Sequence, residues 1–140
     1  MVQDVYRLKS TLKDRGYSLT LVRRTVFEIL SDHDALSMNE LINKVGVAAD
    51  RASVYRTVQL FELLGIIHRV QIGWKYKLEL SDAFVSHHHH LTCLNCGKVI
   101  PLDEDAALEK ELVKLARQND FEATGHQLEI RGYCSDCHAS

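Results

Sequence analysis

Apolar residues recur at helical spacing through the first 64 positions, and polar residues between them mark where each helix begins and ends. Residues 4–15 space Val5, Leu8 and Leu12 along one stripe, with Arg7, Lys9, Lys13 and Arg15 around it and Gly16 as the stop. Thr20 is the expected N-cap of a second helix burying Val22, Val26, Ile29 and Leu30. Ser37-Met38-Asn39-Glu40 has the form of a capping box, so a third helix starts there, buries Leu41, Ile42 and Val45, and stops at Gly46. After a short turn, Val47 to Ala49, Asp50 caps a fourth helix running to Leu64. Two helices joined by a brief turn containing glycine form a helix-turn-helix. At 100° per residue, Val54, Val58, Phe61 and Leu64 share the buried side of the fourth helix, and Ala52, Tyr55, Arg56 and Gln59 the opposite side. A ring, a fork of donors and an amide on one exposed face suit a helix that reads base edges. Arg51, Ser53, Tyr55, Arg56 and Gln59 are therefore the candidate DNA-binding residues.

From Gly65 the period changes from helical to alternating. Ile66–Val70, a turn at Gln71–Gly73 and Trp74–Leu80 are expected to form a hairpin, with Trp74, Tyr76 and Leu78 alternating with Lys75 and Lys77. A hairpin directly after a recognition helix is the wing of a winged helix. Asp82 to Val85 is expected to be a linker, dividing the chain into residues 1–81, a winged-helix DNA-binding domain, and residues 86–140. The second part is expected to run as a strand through four histidines, a strand Lys98–Ile100 broken by Pro101, a helix capped by Asp103 and burying Leu108, Leu112 and Leu115, and a last strand from about Thr124. That strand places His126, Leu128 and Ile130 on one face. The fold class is α+β. A few short strands and one helix are a thin core for about 55 residues, so metal and dimerisation are expected to contribute.

Net charge becomes informative when divided. Residues 1–80 carry 12 Lys and Arg against 9 Asp and Glu, whereas residues 81–140 carry 5 against 10. Arg51, Arg56, Arg69, Lys75 and Lys77 face a single acid, Glu62, over the recognition helix and wing. A basic half joined to an acidic, metal-rich half fits a nucleic-acid reader with a sensing module attached. No apolar run is long enough to span a membrane, and a polar N-terminus without a signal peptide points to the cytoplasm.

The chemistry is concentrated in Ser86–Gly97, SHHHHLTCLNCG, and in a second Cys-x-x-Cys, Cys134 and Cys137. Two such hooks supply the four thiolates that structural zinc takes, and they use all 4 cysteines of the chain. Gly97 and a strand-like Lys98–Ile100 after the first hook favour a zinc knuckle over a thioredoxin-type redox pair, which opens a helix. A reducing compartment disfavours disulfides. In a strand His87 and His89 face one way and His88 and His90 the other. With His126 and the acids Asp105 and Glu109, four apart on the helix, the histidines offer a second site for a divalent metal such as Fe, Mn or Zn.

Thr20-x-x-Arg23, Ser53-Val54-Tyr55-Arg56, the histidine run leading into Cys-x-x-Cys-Gly, and Gly-x-Cys-x-x-Cys near the end together resemble the ferric uptake regulator family over nearly the whole chain. The resemblance implies a winged-helix domain, a C-terminal dimerisation domain, and metal-dependent repression through palindromic operators bound as a homodimer. It implies a structural zinc on Cys93, Cys96, Cys134 and Cys137, and a regulatory Fe2+, Mn2+ or Zn2+ on His87, His89, Glu109 and His126, where the family more often has Asp at the position of His89. A third, inter-domain site is implied on Glu79, His88 and His90. Its first and last ligands fall at Asp34 or Ala35 and at Pro101, with His33 and Asp103 as neighbouring substitutes. A peroxide sensor on the same scaffold and a constitutive DNA binder with purely structural zinc are the alternatives. The absence of HExxH or a similar helix motif argues against a zinc hydrolase.

Overall fold

The computed structural model describes residues 2–138 and divides between Ser86 and His87 into two compact units. The first contains α1 (Val2–Asp14), α2 (Leu21–Ser31), α3 (Met38–Val45), a 3₁₀ turn (Gly46–Ala48), α4 (Arg51–Leu63) and the antiparallel pair β1 (Ile67–Ile72) and β2 (Lys75–Leu80). Leu8 and Leu12 of α1, Val26, Phe27 and Leu30 of α2, Leu41 and Val45 of α3 and Val54, Val58 and Phe61 of α4 converge with Ile66, Ile67, Leu78 and Leu80 into one core. Phe27, which the sequence pattern left out of the buried stripe, is fully buried and meets Phe84 edge-to-face at 5.2 Å. Phe84 and Val85, in the stretch expected to be a linker, thus pack on this core.

The polar punctuation has the expected effect. Thr20 accepts a hydrogen bond from the Arg23 N–H at 3.3 Å, and the Asp50 carboxylate accepts one from Ser53 at 2.6 Å. Ser37 and Glu40 form the reciprocal box, with the Ser37 N–H donating to Glu40 at 2.7 Å and the Glu40 N–H to Ser37 Oγ at 3.2 Å. Gly46 leaves α3 at φ +58°, where a side chain would be strained. Ser37→Ala is expected to lower the stability of the first unit by about 0.5–2 kcal/mol, measured by urea denaturation of the full chain. Glu40 differs in its pH dependence. The Ser37 backbone N–H, ahead of the nearby lysine charges, holds the Glu40 carboxyl below its ordinary value. A lowered folded pKa contributes stability above the unfolded value and loses it as pH falls through the folded one. The difference between wild type and Glu40→Gln is therefore expected to vanish in acid.

Leu36 bridges Leu78 through two backbone hydrogen bonds of 2.9 and 2.6 Å, tying the base of the hairpin to the segment between α2 and α3. The β1–β2 ladder pairs Ile67 with Leu80 at its base and Ile72 with Lys75 at its tip. Gln71 and Ile72 thus still belong to β1, and the turn is Gly73–Trp74 rather than Gln71–Gly73. Trp74, expected on the strand face with Tyr76 and Leu78, is 89% exposed at that turn.

The second unit contains β3 (His88–Cys93), β4 (Val99–Asp103), α5 (Ala106–Gln118), β5 (Glu129–Gly132) and α6 (Ser135–His138). β3 is the central strand, antiparallel to β4 and parallel to β5. Four expectations are corrected here. Pro101 does not break its strand: β4 is an edge strand, where a missing N–H donor removes no ladder bond. Asp103 lies in β4, and the α5 cap is Asp105, which accepts from the Leu108 N–H at 3.0 Å. The last strand starts at Glu129, so His126 and Leu128 precede it in irregular chain, and Ile130 is 53% exposed. Finally, α5 buries none of its residues, and Leu115 is 48% exposed. Three short strands do not cover a helix of thirteen residues. Among the described residues, no helix is long and apolar enough to cross a membrane.

Candidate metal centres and nucleic-acid interface

Strand pairing brings the two cysteine hooks together. Cys93 ends β3, and the chain folds back at once, with the Gly97 N–H on the Cys93 carbonyl at 3.0 Å, the Cys93 N–H on Lys98, and Gly97 at φ +74°. The Leu94 N–H bonds the Gly132 carbonyl at 2.8 Å, which carries the end of β5, and with it Cys134 and Cys137, alongside. All four sulfurs lie within 4.8 Å of one another, and Cys96 and Cys134 are 3.8 Å apart. A tetrahedral zinc with bonds of 2.3 Å spaces its sulfurs by about 3.8 Å, so the cavity fits that ion. The surroundings also favour thiolates. N–H groups of Cys96 and Cys134 bring the Cys93 thiol down to about 6, the latter at 3.4 Å from the sulfur. Asn95 donates to Cys137 at 3.3 Å, which lowers its pKa, but hydrogen bonds shared with Cys134, Cys93 and Cys96, together with burial, push it up to about 11. Thiols that hold protons among themselves release them when a cation replaces those protons.

A second cluster lies on the same strand. His87 precedes β3, His89 is in it, Glu109 is in the first turn of α5, and His126 comes from the segment before β5. The three imidazole Nε2 atoms converge on one carboxylate: His89 lies 2.5 Å and His87 3.3 Å from Glu109 Oε1, and His126 lies 2.8 Å from Oε2. His87 and His126 approach to 3.1 Å between Nε2 atoms. Tetrahedral metal–nitrogen bonds near 2.0 Å space their donors by about 3.3 Å, so this set fits a small divalent ion. Burial raises the Glu109 carboxyl, but the hydrogen bond from His89 and the charges of His126 and His87 outweigh it and hold it below the usual range. His89 is 2% exposed and its Nδ1 has no hydrogen-bond partner. An orphaned buried nitrogen costs about 1–3 kcal/mol.

The acids at positions 105 and 109 separate in role. Asp105 is spent on the helix cap, and Glu109 faces the histidines. Of the residues expected at an inter-domain site, His88 and His90 share the other face of β3, their rings 4.7 Å apart. His33 closes the end of α2, with its Nδ1 2.7 Å from the Ile29 carbonyl. Among the described residues, neither His33 nor Asp103 joins a cluster of three or more metal-ligating side chains. Glu79 meets His68 Nε2 at 2.7 Å across the β1–β2 pair. The sequence reading overlooked His68; cross-strand register is the signal that finds it.

The helix-turn-helix presents Arg51, Ala52, Tyr55, Arg56 and Gln59 to solvent while Val54, Thr57, Val58 and Phe61 are buried. Arg51 is steadied by Asn39 of α3 at 3.3 Å and lies over the Tyr55 ring at 5.7 Å. Arg56 donates to Ser53 Oγ at 3.1 Å and, like Tyr55, is exposed. A fork of donors beside an aromatic ring can meet guanine edges and thymine methyls.

Comparison with known proteins agrees with this arrangement. The model of the Ferric uptake regulator family matches residues 14–131. The ferric uptake regulation protein of Vibrio anguillarum is 36% identical over 131 residues, covering 89% of this chain and 86% of its own. The crystal structure of the Vibrio cholerae ferric uptake regulator superposes with a TM-score of 0.74 at 32% identity, covering 90% of this chain and 98% of its own. The ferric uptake regulator of Pseudomonas aeruginosa, solved with manganese, gives 0.76 at 26% identity, covering 90% and 96%. With its winged helix, its paired cysteine hooks and its histidine–carboxylate cluster, this chain belongs to the ferric uptake regulator family.

Proposed function

We propose that the protein is a homodimeric, metal-responsive repressor that binds palindromic double-stranded operators in the cytoplasm. The observation that carries this reading is one chain holding an exposed Tyr55–Arg56–Gln59 face on a helix-turn-helix and two convergent donor clusters, each with one residue in β3. Cys93, Cys96, Cys134 and Cys137 hold a structural zinc. His87, His89, Glu109 and His126 hold the regulatory Fe2+, Mn2+ or Zn2+, which supplies coordinate bonds between parts of the chain and no reaction. His89 reports from β3 and His87 from the residue before it, Glu109 from α5 and His126 from the approach to β5, so this set fixes the spacing of three segments. His87 is also the first residue of its unit, directly after Ser86, so holding its ring restrains the junction with the DNA-binding unit. The apolar surface left by Ile100, Val113, Leu115, Phe121, Ile130 and Tyr133 is what a second copy covers. A twofold dimer requires two symmetry-related half-sites.

Arg56→Ala tests the reading. Binding of the metal-loaded protein to a duplex enriched from a random library is expected to weaken by roughly 1–3 kcal/mol, and by less on a scrambled duplex. An equal loss on both duplexes with a flatter salt dependence would move Arg56 to the phosphates, and full-strength binding to a single half-site would overturn the dimeric reading.

A further inference from the structure

The wing carries a residue that the fold does not use. Along the β1–β2 ladder burial falls from base to tip: Ile67, Leu78 and Leu80 are buried, whereas Lys75 is exposed and Trp74 is 89% exposed. Six paired residues project the tip about 16 Å beyond that base. The turn needs only its first position, where Gly73 sits at φ +61°, as two-residue hairpin turns of the primed type require. The second position accepts ordinary residues, and a polar one would cost nothing there. An indole instead stands in solvent, with the Lys75 ammonium 5.8 Å from its ring. Elsewhere in the wing, aromatic and cationic groups are engaged: Arg69 bonds Glu62 at 2.7 and 3.2 Å and covers the Tyr76 ring at 4.0 Å. From Leu63 to Leu78 the sequence has no acidic residue, and of the two wing lysines it is Lys77, not Lys75, whose charge the Glu40 carboxylate feels.

We propose that Trp74 is a DNA-contacting residue, its indole packing on the sugar–phosphate edge of the groove next to the one α4 enters, with Lys75 on the adjoining phosphate. This rests on the DNA-binding reading given above. Its occupant is chosen by chemistry. A polyanion with apolar sugar faces matches a flat ring flanked by ammonium groups, and a rigid two-stranded ribbon delivers them together. Sugars and phosphates carry no base identity, so this contact adds affinity and places the wing without reading sequence. Its signature therefore differs from that of Arg56.

The chain has a single tryptophan, so emission excited beyond the absorption of its 5 tyrosines reports on the wing tip alone. Metal-loaded protein is titrated with the enriched duplex and with a scrambled duplex, following both Trp74 emission and the anisotropy of the labelled DNA. Emission is expected to change with the same midpoint as anisotropy. Trp74→Ala is expected to weaken binding to both duplexes by a similar factor, roughly 3- to 10-fold, with unchanged salt dependence, and Trp74→Phe to recover part of it. Lys75→Ala is expected to reduce the salt slope by about 1. Trp74 emission that stays constant while anisotropy saturates, or a Trp74→Ala variant that binds as tightly as wild type, overturns the proposal. If Arg56→Ala still weakens binding in those circumstances, the DNA-binding reading stands without it. A wild-type protein that enriches no duplex overturns both.

Discussion

Serine at Cys93 or Cys137 is expected to strip the zinc and leave the second unit unfolded or monomeric. The size of the effect follows from how little else holds that unit together. Among its described residues the only buried hydrophobic side chain is Cys93 itself; the other buried side chains are His89, His90 and Thr92. Structural zinc in small domains contributes about 10–16 kcal/mol of apparent binding free energy, which becomes folding free energy when no site exists in the unfolded chain. Most single substitutions cost only about 0.5–3 kcal/mol. Zinc content after dialysis against a chelator, far-ultraviolet circular dichroism and sedimentation equilibrium measure the three consequences. A Cys93→Ser or Cys137→Ser chain that keeps one zinc and remains a folded dimer would sink the four-cysteine assignment.

The second large effect is expected on metal-dependent DNA binding. In the His89→Ala, His126→Ala double variant, Glu109 and His87 remain as an incomplete set that no longer ties α5 and the segment before β5 to β3. A ligand shifts a conformational equilibrium only by its differential affinity for the two states, and such couplings are typically about 1–3 kcal/mol, or 5- to 150-fold in affinity. Wild type is expected to gain affinity in that range when loaded with Fe(II), Mn(II) or Zn(II), and the double variant to stay at the chelated level while keeping its structural zinc. Anisotropy against free metal measures both. Equal affinity of chelated and loaded wild type, or a full response in the double variant, would remove this cluster as the sensor. Zinc is expected to give the lowest midpoint, since imidazole-rich sites follow the Irving–Williams order and zinc lies above manganese and iron.

The first unit was legible because its signals are local. Thr20, Ser37 and Asp50 each cap a helix through a residue three positions on, and Gly46 leaves α3 in a conformation glycine prefers. A wheel was enough to separate Val54 and Val58 from Tyr55 and Arg56. The second unit was less legible because its arrangement depends on pairing between distant segments. Pro101 stands in a strand because β4 lies at the edge, a fact about its neighbours. Asp103 and Asp105 are equally good caps by composition, and the extent of β4 decides between them. The cysteine hooks showed in their spacing, and the paired histidine faces in the period of a strand. The His68–Glu79 contact did not show, because it depends on the register of β1 against β2.

The parallel pairing of β3 with β5 also sets an order of events during synthesis. His90 aligns with Glu129, 39 positions later in the chain. At about 5–20 residues per second, the partner edge of β3 is made roughly 2–8 s after β3 itself. By then the helices and wing of the first unit have all been translated. Throughout that interval Cys93 and Cys96 are a lone two-thiolate hook, and His87 and His89 lack His126. The histidine set is complete only once His126 has been made, and the cysteine set only once Cys137 has. Both donor sets therefore close only after the whole of the first unit has been translated.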